Sequence, residues 1–512
     1  MRSIVPRSSA ERGIRARDKN SQEPQVEETM STVELNPRES RHARERNPDL
    51  PPNHPVNALS PWRKFAALVA LSFSGFLGQF TAAIILVAFP PMAADLKASI
   101  GDIANSVGFV LLGIAVGPLF WNPLSRTLGR RPVYLLGSLL FLPCCIWQAL
   151  SKDYITFAIS RVFAGLSIAF SQTVPPSTIA DIFPPAVIGQ KMSMYVVAII
   201  TAPAAAPFFC GLIVRSSWRN LFWFLLGLGG LQLALFFFFV PETQWIEGED
   251  DTHTPATDKD IEHHETRVAN GGRVGVAFYP WKRPGEFMRI CLGPVSMLRY
   301  FVILVPSFYY GFAFSWIVGI TVVTPQTLGA PPYAFAIIPL GCSFLAYGVG
   351  GLLGFWFGGL VGDKTVDYLA RKQGTRQPEQ RLWATLPVMP FMFVAMLIIG
   401  ISLQKQLHWI GLLIGGALYF FTISIITGLI QTYVLECYLP QGMDSMAVFN
   451  FFRMLWGFAI PFFVWNWGVQ HGWLACYITQ GALTAGLGIL LSLFLIWKGR
   501  GIRAAQHMPI WE

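Results

Sequence analysis

Runs of about 20 apolar residues recur along this 512-residue chain, each long enough to cross the hydrocarbon of a bilayer as a helix. About twelve meet that criterion, centred near Leu77, Leu112, Leu140, Ala169, Ile200, Leu231, Tyr310, Tyr347, Val394, Tyr419, Gly457 and Leu487. Only 13% of the residues are charged, against 53% hydrophobic. A soluble domain needs a charged surface, so the composition predicts an all-α membrane protein with twelve transmembrane helices.

Polar segments set the organisation. Residues 1–61 are rich in Glu, Arg, Pro and Asn with almost no aromatics, which predicts a disordered tail. A second polar segment, 241–297, is acidic at Glu247–Asp251 and basic at Lys282 and Arg283. It separates six spans (62–240) from six more (298–497), and a short tail (498–512) follows. The Arg-rich start has no apolar core, so no cleaved signal peptide is expected and the first span drives insertion. Loops on one side carry Arg126, Arg130, Arg131, Lys191, Lys364, Arg371, Lys372, Arg376 and Arg381, with Lys498, Arg500 and Arg503 in the tail. The other side has Lys97, Lys152, Arg215, Arg219 and Lys405. The positive-inside rule then places both termini and the central loop in the cytoplasm.

That distribution also argues against nucleic acid as a partner. The net charge of +9 borders the helices instead of forming one face, and the partner it implies is the lipid bilayer. Cys144, Cys145, Cys210, Cys291, Cys342, Cys437 and Cys476 show no CxxC or metal-ligand spacing and read as free thiols. His253, His263 and His264 lie in the central segment, where composition favours a polar linker over a metal site. The stretch Pro280–Arg289 is expected on the inner membrane surface. No nucleophile–base set or metal cluster points to an enzyme, and no cofactor or metal is expected.

Arg161 is the sharpest single residue. An Arg several residues into an apolar run costs about 3 kcal/mol unless it faces a polar cavity or a partner; the alternative is snorkelling to the outer surface. No Asp or Glu lies deep in a span, since Asp95, Asp181, Asp363 and Glu436 all sit at helix ends. A site for a small organic cation would want a buried carboxylate, so neutral, amphipathic or anionic solutes are favoured. The halves also echo each other. Asp181-Ile-Phe-Pro-Pro185 follows the fourth span as Glu436-Cys-Tyr-Leu-Pro440 follows the tenth, and Gly359–Lys364 stands after the eighth where Asn122–Thr127 stands after the second. Related halves around a central site are the arrangement of alternating-access carriers. The glycines of the eighth span (Gly341, Gly348, Gly350, Gly351, Gly354, Gly358 and Gly359) read as close helix packing.

Several motifs resemble those of the major facilitator superfamily. Asn122-Pro-Leu-Ser125 followed by Gly129-Arg-Arg-Pro132 is similar to its loop motif Gly-x-x-x-Asp-Arg-x-Gly-Arg-Arg. Arg161-Val-Phe-Ala-Gly165 is placed as the family's membrane-embedded Arg is, and Val240-Pro-Glu-Thr243 closes the sixth span. Pro378-Glu-Gln-Arg-Leu382 resembles a pattern of fungal members, and Ala202–Gly211 resembles a degenerate antiporter motif. The resemblance runs from Pro61 to Lys498. It implies a monomer of two pseudo-symmetric six-helix bundles (the major facilitator fold) that works by alternating access.

The resemblance also implies roles. A cytoplasmic gate would comprise Asn122, Gly129, Arg130, Arg131 and Asp181 in one half, with Asp363, Arg371, Glu436 and Arg453 in the other. Arg130–Asp181 would be a pair that breaks as the halves rock, with Asp363 or Arg371 opposite Glu436; simple topology anchoring is the alternative. Arg453, near the start of the eleventh span, is expected to pair with Glu436, with snorkelling as the alternative. The family's Asp is Arg126 here and its first Gly is Asn122, so the usual Asp–Arg lock is absent. Pro203, Pro207 and Gly211 would bend the fifth helix. Arg161 and Asp181 would serve proton coupling, with a proton gradient as the energy source. The small-molecule substrate would meet residues among Gln79, Thr81, Gln172, Tyr309, Tyr310, Trp316, Tyr347, Tyr419, Thr427, Gln431 and Asn450, with a place in the interfacial belt as the alternative for the Tyr and Trp. Fungal drug:proton antiporters are the members most similar, so the expected activity is proton-coupled export of toxic compounds or secondary metabolites across the plasma membrane. Nutrient uptake and a solute-sensing transceptor are the alternatives.

Overall fold

The computed structural model describes residues 59–243, 292–374, 377–438 and 441–506. The His-bearing central segment, Cys291, Pro280–Arg289 and the first 58 residues lie outside them. Lipid offers no partner to a backbone N–H or C=O, so each apolar run closes its hydrogen bonds internally as a helix. The helices are α1 (Pro61–Ala83), α2 (Ile100–Thr127), α3 (Arg130–Leu150), α4 (Tyr154–Ile182), α5 (Pro185–Ile213) and α6 (Asn220–Phe239). The second set is α7 (Phe301–Leu328), α8 (Ile337–Gln373), α9, α10 (Trp409–Cys437), α11 and α12 (Trp473–Ala505). Here α9 is Pro378–Ala384 with Met389–Gln404, and α11 is Gly442–Ala459 with Pro461–His471, bent by 40° and 46°. Among the described residues, ten helices can cross a membrane by length and composition, and twelve when each bent pair is one span.

Local signals begin and end these helices. Proline at the first turn starts α1. A capping box starts α2: the Ser99 hydroxyl accepts the Asp102 N–H at 3.0 Å while the Asp102 carboxylate accepts the Ser99 N–H at 3.1 Å. Gly374, at φ +71°, closes α8.

Helix pairing repeats between the halves. In the first, α1 packs on α5, α2 on α4 and α3 on α6; in the second, α7 packs on α11, α8 on α10 and α9 on α12. The halves meet through α2 with α11 and α5 with α8, which are equivalent contacts under the same two-fold relation. Small residues make these approaches possible. A Cβ on Gly350 or Gly354 of α8 would strike the carbonyls of Ala417 or Phe421 in α10. Across the halves, a Cβ on Gly108 would lie 2.7 Å from the Phe458 carbonyl, and one on Gly341 would lie 2.6 Å from that of Pro207. The α8 glycines are thus packing positions, except that Gly359 has no neighbour within 4 Å of such an atom. Helix α5 stays helical through Pro203 and Pro207. Gly211 and the Pro207 carbonyl form the surface on which α8 lies.

Candidate functional site

Charged residues gather at one end of the helices. Gly129 takes φ +99° between α2 and α3, and a Cβ there would sit 2.6 Å from a Glu242 carboxylate oxygen. Glu242 accepts the backbone N–H groups of Arg130 and Arg131, each at 3.0 Å, so a carboxylate caps the positive end of α3. Arg131 is buried and donates to the Phe237 carbonyl at 2.9 Å. Arg130 forms an ion pair with Asp181 at the end of α4. Asn122 is buried one turn before Arg126 and accepts the Thr173 hydroxyl at 2.7 Å, tying α2 to α4.

The second half builds its counterpart differently from the expectation. Arg381, at the start of α9, grips Glu436 with two bonds of 3.0 and 2.7 Å and reaches Asp363 at 3.5 Å. Arg371 is exposed near the end of α8 and belongs to neither pair. Arg381 has the right fork for bidentate carboxylate binding and stands where Arg130 stands in the other half. Glu379, two residues earlier, pairs with Arg503 of α12 at 3.3 Å.

One pair crosses between the halves. Arg126, the residue that replaces the family's Asp, donates to Asp444 in the first turn of α11 at 3.2 Å. The Asp444 side chain is 8% exposed and that of Arg126 33%. The sign is inverted relative to the family motif, but the loop is still held, by the opposite half. Sequence reading missed Asp444, Glu242 as a cap and Arg381 as a carboxylate clamp. The signal for Asp444 was an acidic residue in the first turn of the helix that this fold places beside the loop.

Midway through the helices lies a buried polar layer. Gln79 of α1 donates to the Gln172 carbonyl oxygen at 3.1 Å, and that oxygen also accepts from Arg453 Nη2 at 3.0 Å. Arg453 is therefore not at the helix end beside Glu436. Because α11 begins at Gly442, Arg453 lies about three turns in, roughly 16 Å along the axis. Its guanidinium also sits 5.1 Å from the Phe314 ring centroid. The Tyr310 and Thr427 hydroxyls share a hydrogen bond at 2.8 Å, and Tyr310 stacks on Phe449 with centroids 4.5 Å apart. Asn450 is buried one turn before Arg453.

Other residues expected at the substrate site have contacts within the protein. Tyr309 donates to the Thr484 carbonyl, Tyr347 bonds Thr324, and Tyr419 donates to the Ala313 carbonyl. Thr81 bonds its own helix at Leu77, Gln431 reaches the Met446 sulfur at 3.7 Å, and Trp316 packs on Phe312 and Trp467.

Arg161 is fully buried and does not snorkel. Its Nη1 and Nη2 donate to the carbonyls of Thr81 and Ala82 at 2.9 and 3.0 Å, and Nε reaches the Ser106 carbonyl at 3.4 Å. Helix α1 ends at Ala83, so its last carbonyls lack an N–H one turn on, and Arg161 supplies the donors and the positive charge a helix C-terminus favours.

At the opposite end of the first half, Asp95 pairs with Arg219 and accepts the Trp218 indole N–H at 2.9 Å. Arg219 also donates to the Ser151 carbonyl at 3.2 Å. The hydrogen bonds from Arg219 and then Trp218 hold the Asp95 carboxyl below its usual range. A lowered folded-state pKa gives stability that is present above the unfolded value and lost as pH falls through the folded one. In melting scans the gap between wild type and Asp95→Asn is thus expected to stay constant from pH 8 to about 4, then close on further acidification. Its size should fall within the ~0.2–1 kcal/mol of solvent-exposed pairs.

The model of the Major Facilitator Superfamily matches residues 71–461. The chain belongs to the Major Facilitator Superfamily. It is 22% identical to the MFS antiporter QDR3 of Candida albicans, over 88% of this chain and 79% of that one. It is 22% identical to quinidine resistance protein 3 of Saccharomyces cerevisiae (77% and 76% covered) and 26% identical to the MFS-type transporter penM of Penicillium rubens (80% and 79%). Among solved structures, a D-xylose–proton symporter superposes with a TM-score of 0.60 at 17% identity, covering 85% of this chain and 97% of the symporter. These likenesses make the protein a multi-pass secondary transporter of small molecules and not an enzyme. The six described cysteines are free thiols.

Proposed function

We propose that the protein is a monomeric, proton-coupled exporter of small organic molecules in the plasma membrane, with both termini and the Arg130 end of the helices in the cytoplasm. The observation that carries the reading is the Arg126–Asp444 bond. It is a titratable contact across the plane on which two halves must separate for access to alternate. A proton on Asp444 removes the charge that holds Arg126, so protonation and opening are linked through one carboxylate. Asp181 is the second such carboxylate, held by Arg130 within the first half. Arg161 contributes by fixing the end of α1, not by titrating, since a guanidinium keeps its proton. Export is supported by similarity to the antiporter QDR3 and to quinidine resistance protein 3, and orientation by the basic loops at the Arg130 end.

The test is flux in sealed inverted vesicles holding the purified protein, with a panel of labelled hydrophobic compounds. Uptake that collapses with an uncoupler, and that becomes insensitive to the gradient in Asp444→Asn, is the expected result. Flux indifferent to the gradient in the wild type would leave a facilitator and end the antiport reading.

A further inference from the structure

Arg161 and Arg453 are buried arginines that lie well inside their spans instead of at the first turn, and their hydrogen-bonding differs. All three nitrogens of Arg161 reach backbone carbonyls. Arg453 has Gln172 on Nη2 and a side-chain hydrogen bond with Tyr310, while its Nε is buried without an acceptor. No carboxylate pairs with it among the described residues. A buried donor without an acceptor is costly, more so when it is charged. The free Nε and the adjacent Nη2 are the two parallel N–H groups of the guanidinium's side-on fork, the geometry that fits a carboxylate. Aromatic surface lies beside it, in Phe314 and in the Tyr310–Phe449 stack.

We propose that Arg453 anchors the acidic group of an organic monoanion with a flat apolar body, held between the two halves. This rests on the reading of that layer as the carrier's substrate site. Gln172 occupies half of the fork in the absence of ligand, and its oxygen is shared with Gln79. A carboxylate that takes both Nε and Nη2 displaces Gln172. Loading the site therefore releases a hydrogen bond that joins α4 to α11 across the halves, which couples occupancy to their separation.

The test uses three isosteric probes of different charge, 2-naphthoate, 2-naphthamide and 2-naphthylmethylammonium, titrated against the full-length protein in nanodiscs by calorimetry. The wild type is expected to bind 2-naphthoate at least about tenfold more tightly than the other two. Arg453→Gln should lose that preference. Arg453→Lys should keep a weaker preference for the anion, because it restores the charge but not the fork. Gln172→Leu, which removes the competing acceptor, should bind 2-naphthoate at least as tightly as the wild type. Binding blind to charge, an anion preference that survives Arg453→Gln, or no binding of 2-naphthoate to the folded wild type would overturn the proposal. Proton-driven flux in a wild type whose binding is blind to probe charge would sink the proposal and leave the exporter standing. Tight, Arg453-dependent anion binding without any flux would do the reverse.

Discussion

Reversing the charge at Arg126 is expected to open the contact between the halves at the Arg130 end, and restoring the pair in swapped order is expected to close it. In Arg126→Asp, a carboxylate faces the nearly buried Asp444, so attraction across the interface becomes repulsion. A partly buried charge that loses its partner should shift the balance between conformations closed and open at this end by about 1–3 kcal/mol, or roughly 5–150-fold. The double variant Arg126→Asp/Asp444→Arg rebuilds the pair and should return the balance toward wild type. Distances between spin labels at Leu128 and Met443 would read this directly. The single variant should show a longer, broader distribution, and the double variant one like the parent. A single variant that leaves the distribution unchanged would mean that the apolar packing of α2 on α11 holds this end alone. Transport should follow the same order, because a carrier trapped in either conformation cannot cycle.

This pair also marks the limit of what the sequence could tell. The twelve spans were legible because a bilayer demands length and apolarity of every crossing segment, and those are local properties. The packing role of the α8 glycines was legible for a similar reason, since close helix approach leaves only small residues at a regular spacing. Arg161 was conspicuous because a charge in an apolar run needs a partner somewhere, although its partners are carbonyls, which no sequence pattern marks. Arg126 and Asp444, by contrast, are 318 residues apart, and one stands in a motif position with the wrong sign. Reading that substitution as a lost lock was correct within one half and blind to the other. Arg453 was misplaced for a simpler reason. The eleventh helix starts at Gly442, so polar residues taken for its cytoplasmic edge lie deep within it. Tyr309, Tyr347 and Tyr419 are polar enough to suggest a binding site, and no sequence pattern marks that each hydroxyl finds a partner inside its own half.

The largest loss of stability should come from Arg161→Ala. The side chain is fully buried, and removing it takes away the donors to Thr81 and Ala82 and leaves a void where α1, α2 and α4 converge. Hydrogen bonds to a charged group contribute about 1.5–3 kcal/mol each, so two of them place the expected loss at several kcal/mol, a large share of the stability of a typical folded protein. In detergent the variant should melt many degrees below the parent. Arg161→Lys separates the two roles the residue could play. An ammonium keeps the positive charge at the end of α1 but cannot reach both carbonyls with a planar fork. A lysine variant with wild-type melting and impaired coupling would show that Arg161 acts on transport beyond its support of α1. Stability and transport falling together in both variants would mean that coupling depends on Arg161 only because α1 must end where it does. The second outcome is the expected one, because no titratable partner lies within its hydrogen bonds and each of its three nitrogens donates to a backbone carbonyl.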